Sequence, residues 1–203
     1  MQNGQEQILE VAGRFFLKYG IRAVSIDDIC SELRISKKTF YQHFGSKEDL
    51  ILALHNALMA EKKNLFAKIM DGKNAIQSLI DLSKEARKKI EANHELIDKD
   101  LKKYYPAIYE QVEKAHREQS ADFFKKNLEK GIEEGFYRED IDIEFVAIFL
   151  FQNTQIASVY EELQKIDKKQ YTKKKMMDLF FDLYLRVVVN DKGMAYYEEH
   201  YHK

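Results

Sequence analysis

The stretch SIDDICSELRISKKTFYQHFGSKEDL, residues 25–50, decides how this chain folds. Ser25 stands three residues before Asp28, Ser36 opens the run KKTFYQH, and Ser46 stands three residues before Asp49. A serine oxygen that accepts the amide of the third following residue starts a helix, and an acidic residue at that position can return the bond. The spacing predicts helices over Ile26 to Leu33 and Lys37 to His43, and a third opening after Ser46. Arg34 and Ile35 make the first turn, and Gly45 breaks the chain before the third start. Phe40 and Phe44 share a face of the middle helix and are expected to pack on Ile26, Ile29 and Leu33. Lys37, Lys38, Thr39, Tyr41, Gln42 and His43 are then left facing outward.

This is the pattern of a helix-turn-helix, whose short second helix packs by one side and presents donors on the other. Lysine can donate to guanine O6 and N7, and glutamine can pair with adenine N6 and N7, so Lys37, Lys38 and Gln42 are the candidate base readers. Thr39, Tyr41 and His43 carry donors suited to phosphate oxygens, which fix register without reading sequence. Lys47 and the free amides after Ser46 form a further candidate anion site at a helix start, with Ser25 and Ser36 at the other two starts completing the set. Charge alone would favour a solvated cationic face. The three caps, the aromatic pair and the donors together favour duplex DNA.

Outward from this stretch the chain continues in helical periods. Toward the N-terminus, Ile8, Val11, Ala12, Phe15, Phe16 and Tyr19 form one stripe over Gln5 to Tyr19, which Gly20 ends. Downstream, helices are expected from Ser46 to Met70, Asn74 to Ala92, a short one ending near Tyr105, Pro106 to Glu134, Ile143 to Lys165, and a last one ending near Asn190. Asp191-Lys192-Gly193 is expected to stop that helix, leaving MAYYEEHYHK as a tail without a period. The expected architecture is all-α with about nine helices. With 1 proline and 8 glycines among 203 residues, the chain lacks the punctuation of an all-β or disordered one.

A net charge of −1 argues against a general nucleic-acid coat but leaves a local basic site open. The single Cys30 excludes an internal disulfide and a cysteine-rich zinc site, and reads as packing. The start MQNGQEQILEV lacks the charged and apolar segments of a signal peptide. The most apolar run, Phe145 to Phe151, is far shorter than the ~20 residues of a membrane span. The expectation is a cytoplasmic protein without membrane association.

The stretch ILEVAGRFFLKYGIRAVSIDDICSELRISKKTFYQHFGSKEDL resembles the N-terminal domain of the TetR family of transcriptional regulators. The residues that carry the resemblance are Ala12, Phe15, Phe16, Gly20, Ser25, Asp28, Ile29, Ser36, Lys37, Thr39, Tyr41, His43, Phe44, Lys47, Glu48 and Leu50. They cover about a quarter of the chain. The family usually has glycine in the helix-turn-helix turn where this chain has Arg34, and a side chain held at positive φ costs roughly 1 kcal/mol.

The resemblance implies a helix-turn-helix domain over residues 1–47 and a helical domain over 48–203 that binds a small-molecule effector and forms a homodimer through its last two long helices. It implies a repressor that leaves a palindromic operator when the effector binds. Ile156, Val159 and Leu163, with Met176, Leu179, Phe180, Leu183 and Val187, lie on stripes that suit such an interface. Candidate effector contacts are Phe66, Tyr104, Tyr105, Tyr109, Phe123, Phe149, Gln152 and Asn153, although aromatics at helical spacing are more often core. Four consecutive polar residues, Gln152 to Gln155, must turn at least one amide inward, where it needs a partner.

No cofactor or metal is expected: His94 and His116 stand alone, and His200 and His202 lie in the tail. No phosphate loop, zinc motif or nucleophile elbow occurs, which argues against an enzyme. The rival readings are a helical module that uses its cationic helix on an acidic protein, and a regulator of the same kind controlled by a protein partner.

Overall fold

The computed structural model describes residues 4–89, 95–154 and 157–201, with side chains at all of these except 88–89, 95, 150–154, 157–158 and 201. The described residues form eleven helices and an isolated antiparallel bridge between Tyr137 and Val189. The class is all-α, as the composition and periodicity predict. Two compact units result: Met1–Lys62 with Ala92–His116, and Lys63–Glu91 with Arg117–Lys203.

In the first unit, α1 (Gly4–Tyr19) buries Ile8, Val11, Ala12 and Phe16, one stripe of the helix. Gly20 ends it at φ 83°, its amide donating to the Phe16 carbonyl at 2.9 Å. A Cβ there would also lie 2.7 Å from a carboxylate oxygen of Asp100. α2 (Ile26–Leu33), α3 (Lys37–Tyr41) and the start of α4 (Lys47–Met70) close over Ile21, Val24, Ile29, Cys30, Phe40, Phe44, Leu50 and Ile51. α6 (Glu95–Tyr104) and the start of α7 (Pro106–Glu133) add Leu101, Ile108 and Val112 to the same core. Each large apolar side chain so buried contributes roughly 1.5–3 kcal/mol. Buried Asp100 accepts the Arg22 amide at 2.8 Å and ties α6 to the turn after α1.

The turn between α2 and α3 is a Schellman motif. Ile35 N–H donates to the Cys30 carbonyl at 3.0 Å and Arg34 N–H to the Ser31 carbonyl at 3.2 Å. Arg34 sits at φ 54° and ψ 41°, the left-handed conformation that the resemblance anticipated for this position. Arg34→Gly is therefore expected to stabilise the protein by roughly 0.5–1 kcal/mol, the relief of strain less the greater backbone entropy of glycine. A thermal melt checks it, with a rise of roughly 1–4 °C expected and no rise contradicting it.

The second unit contains the end of α4, α5 (Ala75–Lys89), the end of α7, α8 (Ile143–Thr154), α9 (Ala157–Ile166), α10 (Lys173–Val188) and α11 (Asp191–Tyr201). Its core joins Ile76, Leu79, Ile80, Phe123, Phe124, Leu128, Tyr137, Tyr184, Leu185, Val188 and Tyr197. Two buried polar groups inside it satisfy each other: Tyr137 Oη donates to Asn127 Oδ1 at 3.0 Å, and Asn127 Nδ2 donates to the Ala75 carbonyl at 2.9 Å. Burial pushes the Tyr137 hydroxyl well above its usual range, which keeps it a donor.

The boundaries depart from expectation in three places. The middle helix of the opening stretch ends at Tyr41, and Gln42 and His43 form a turn. The helix expected over Ile143 to Lys165 is described as α8 and α9, on either side of residues 155–156. The expected tail contains α11, because Asn190 Oδ1 accepts the Gly193 amide at 3.0 Å and Tyr197 is fully buried. Gly193 is inside that helix for want of space: a Cβ would lie 2.1 Å from the Phe136 carbonyl oxygen.

Candidate DNA-binding site

Each helix start in residues 25–50 is capped as its spacing predicts. Ser25 Oγ accepts the Asp28 amide at 3.1 Å, while Asp28 Oδ2 accepts the Ser25 amide at 2.7 Å and the Ser25 hydroxyl at 2.6 Å. These bonds hold the Asp28 carboxyl below its usual pKa. Ser36 Oγ accepts the Thr39 amide at 3.0 Å and lies 2.9 Å from Thr39 Oγ1. Ser46 Oγ accepts the Asp49 amide at 3.0 Å. The hydroxyl protons of Ser25 and, in one orientation, Ser36 are thus engaged locally.

α3 is fixed by Phe40, which is fully buried and meets Phe44 at 5.8 Å between ring centroids. With that side inward, Lys37, Lys38, Tyr41 and Gln42 are exposed, and Thr39 and His43 are half-buried. Tyr41 stands edge-on to Phe40 at 5.5 Å, which braces its ring while the hydroxyl end stays on the surface. Lys38 forms no ion pair among the described residues, so its ammonium meets an acceptor at little cost. Lys37 pairs with Asp27 at 2.9 Å, but both are well exposed and such a pair is worth little. His43 lies beside the start of α1, where a Cβ on Gly4 would come within 3.0 Å of its Nε2.

Lys47, expected from sequence to grip a phosphate, is engaged within its own chain. Its ammonium donates to the carbonyls of Ile21 and Val24 and lies 5.9 Å from the Phe16 ring centroid. Burial lowers its pKa. The side chain is a strut between the start of α4 and the loop before α2, two segments the sequence keeps more than twenty residues apart.

Residues 8–54, the segment that builds this surface, match the family described as bacterial regulatory proteins, tetR family. These residues are a TetR-family DNA-binding domain. Its sequence relatives include the HTH-type transcriptional repressor KstR2 of Mycobacterium tuberculosis, 26% identical over 156 residues that cover 74% of this chain and 78% of the relative. KstR2 of Rhodococcus jostii is 27% identical over 168 residues, covering 74% and 76%. Among solved structures, reduced NemR of E. coli superposes with a TM-score of 0.73 at 14% identity, over 93% of this chain and 98% of that one. That likeness is one of fold.

The residues proposed from sequence for an effector divide between the two units. Tyr104, Tyr105 and Tyr109 belong to the first. Tyr104 lies under the Arg22 guanidinium, 4.3 Å from it, and accepts a hydrogen bond from it, so it helps hold the head together. Phe66 and Phe123 belong to the second unit, where their rings meet at 4.4 Å, and Phe123 is buried in the core. Phe149 is exposed and stacks along α8 on Phe145. The side chains of Gln152 and Asn153 lie outside the described residues.

The residues proposed for a dimer also sort into different places. Met176 is buried within its own chain. Phe180 is half-buried against Phe181, and Leu163 is half-buried. Leu179, Leu183, Val187 and Val159 are exposed. Ile156 lies outside the described residues. Sequence reasoning passed over His55, a buried histidine on α4 at the position four residues after Ile51. Its place on an apolar stripe was the available signal. Among the described residues no cluster of three or more His, Cys, Asp or Glu could hold a metal, and no helix is long and apolar enough to cross a membrane.

Proposed function

We propose that this chain is a transcriptional repressor that acts as a homodimer in the cytoplasm, bound to a near-palindromic operator and released by a small-molecule effector. Residues 1–47 meet the DNA, and residues 48–203 serve the effector and the dimer, with α6 and the start of α7 packed on the head. In the major groove Lys38 and Gln42 read bases, with Lys37 once Asp27 releases it, while Tyr41, Thr39 and His43 hold phosphates. Ser25 and Ser36 present helix starts to the backbone, and Lys47 sets the spacing between α4 and the loop before α2. The relatives are transcriptional regulators, and the chain is proposed to have no enzymatic activity.

The observation that carries the dimer is the outer face of α10. Leu179, Leu183 and Val187, four residues apart, are 41%, 63% and 51% exposed, although the opposite face of the same helix fills the core. Contiguous exposed apolar surface of this kind marks an interface. Phe145, Ile148 and Phe149 on α8 and Val159 on α9 are apolar and exposed as well. A two-fold pairing of these helices would present two recognition helices to half-sites roughly 34 Å apart.

The experiment is selection of bound duplexes from a random pool with the full chain. Two inverted half-sites are expected; a single unpaired site, or no enrichment, contradicts the reading. On the selected operator, Lys38→Ala with Gln42→Ala should weaken binding by at least about a hundredfold, since each lost base contact is worth roughly 1–3 kcal/mol and each occurs twice per dimer. Retention of affinity would remove both residues from the interface.

A further inference from the structure

We propose that His55, Lys62 and His116 form an anion-binding site that receives the carboxylate of a small organic acid, which deepens the effector reading above and rests on it. His55 and Lys62 lie on α4 and His116 on α7, all three within the first unit. The two imidazole rings stand 5.2 Å apart, centroid to centroid, and Lys62 Nζ is 3.5 Å from His116 Nδ1.

The chemistry follows from protonation and burial. An ammonium can only donate, so His116 Nδ1 is the acceptor of the Lys62 contact and the ring proton lies on Nε2. His55 is more than nine-tenths buried, and its Nε2 has no hydrogen-bond partner among the described residues. A buried polar nitrogen left in this way costs free energy until something bonds to it. Burial first, and the Lys62 charge second, hold the His55 pKa below its usual value.

The neighbouring charge decides which ligand fits. The Lys62 ammonium repels a metal cation from the two rings and attracts an oxyanion, whose oxygens accept from N–H donors and from the ammonium together. An incoming carboxylate also favours a protonated His55, reversing the effect of Lys62.

The position makes the site regulatory. His55 lies eight residues beyond Lys47 on α4, a little over two turns and roughly 12 Å along the axis. Lys47 is the strut to the Ile21 and Val24 carbonyls. A ligand that draws α4 toward α7 acts on the helix that positions the DNA-binding head, and it shifts operator affinity only if it binds the two states unequally.

The test titrates the full chain, without DNA, with benzoate and decanoate and with benzyl alcohol and decanol as neutral counterparts, reading histidine ring resonances and thermal stability. The acids are expected to move the His55 and His116 signals and leave those of His43 and His200 in place, with each alcohol at least about tenfold weaker. His55→Phe and, as a second variant that leaves the rings alone, Lys62→Met should each weaken acid binding roughly tenfold to a hundredfold. The unliganded His55→Phe protein should melt no lower than the original, because the substitution removes the buried Nε2 that has no partner among the described residues. Acids that leave both signals unmoved, alcohols that bind as tightly as the acids, or variants that bind as before would overturn the site. Operator binding is measured separately. Acid binding here without operator release keeps the site and ends the release mechanism, whereas release without movement of the His55 and His116 signals does the reverse.

Discussion

Leu183→Arg is expected to leave the fold intact, convert the proposed dimer to monomers and weaken binding to a two-half-site operator by a hundredfold to a thousandfold or more. Leu183 is 63% exposed in the single chain and arginine is a good helix former, so α10 should tolerate it. In a two-fold interface each substitution appears twice and places like charges where apolar surface was to be buried. Unpaired charge at such a place costs roughly 2–5 kcal/mol, which corresponds to roughly 30-fold to several thousandfold in the association constant. A monomer then engages one half-site and loses the effective concentration of the second. Sedimentation and operator titration check this, with Leu58→Arg, equally apolar and exposed on α4, as the control that should remain dimeric. A Leu183→Arg protein that sediments as the unaltered one does would place the interface elsewhere.

Gly193→Ala is expected to have the largest effect on stability. The new Cβ would lie 2.1 Å from the Phe136 carbonyl oxygen and 3.0 Å from Val189 Cβ. Phe136 O cannot swing away cheaply, since it accepts the Asn190 amide at 3.0 Å. The same junction is held by Arg138 N–H on the Val188 carbonyl at 2.9 Å and by Asn190 Nδ2 on the Gly135 carbonyl at 3.1 Å. Relief therefore requires α11 to move off the loop that follows α7, exposing the buried Tyr197 ring. Overpacking of this severity costs about 3 kcal/mol or more, and the melting temperature should fall by roughly 6–12 °C. Ala195→Ser, exposed on the same helix, should stay within roughly 0.5 kcal/mol of the original. An unchanged melt for Gly193→Ala would mean that α11 is not docked on that loop.

The two substitutions bear on different kinds of information in the chain. The caps at Ser25, Ser36 and Ser46 could be read from sequence because each bond spans three residues, so local spacing contains both partners. The strained Arg34 was legible for the same reason, since the turn geometry follows from the two helices it joins. Lys47 was not legible. Its cationic side chain suited a phosphate, but the carbonyls that hold it lie in a loop brought near only when α1 and α4 pack. The contact of Tyr104 with Arg22 was hidden for the same reason, because Arg22 reaches it across 82 residues of sequence.

α10 shows where periodicity stops being informative. Met176, Leu179, Phe180, Leu183 and Val187 all satisfy helical spacing, and the helix is apolar on more than one side. A pattern in sequence shows that such a helix has two partners but not which residues face which. Burial assigns Met176 to the core and leaves Leu179, Leu183 and Val187 outside. The end of the chain shows the complementary failure: Gly193 reads as a helix stop, yet it is the residue that allows α11 to form against Phe136.

By itself, the sequence determined the all-α class, the capped helix-turn-helix and the TetR kinship, because these rest on short-range hydrogen bonds and on the period of a single helix. Tertiary structure alone decided that Lys47 is a strut, that Leu179, Leu183 and Val187 on α10 are exposed and that His55 is buried beside His116. Those facts depend on which distant segments exclude water from one another, and no local pattern encodes that.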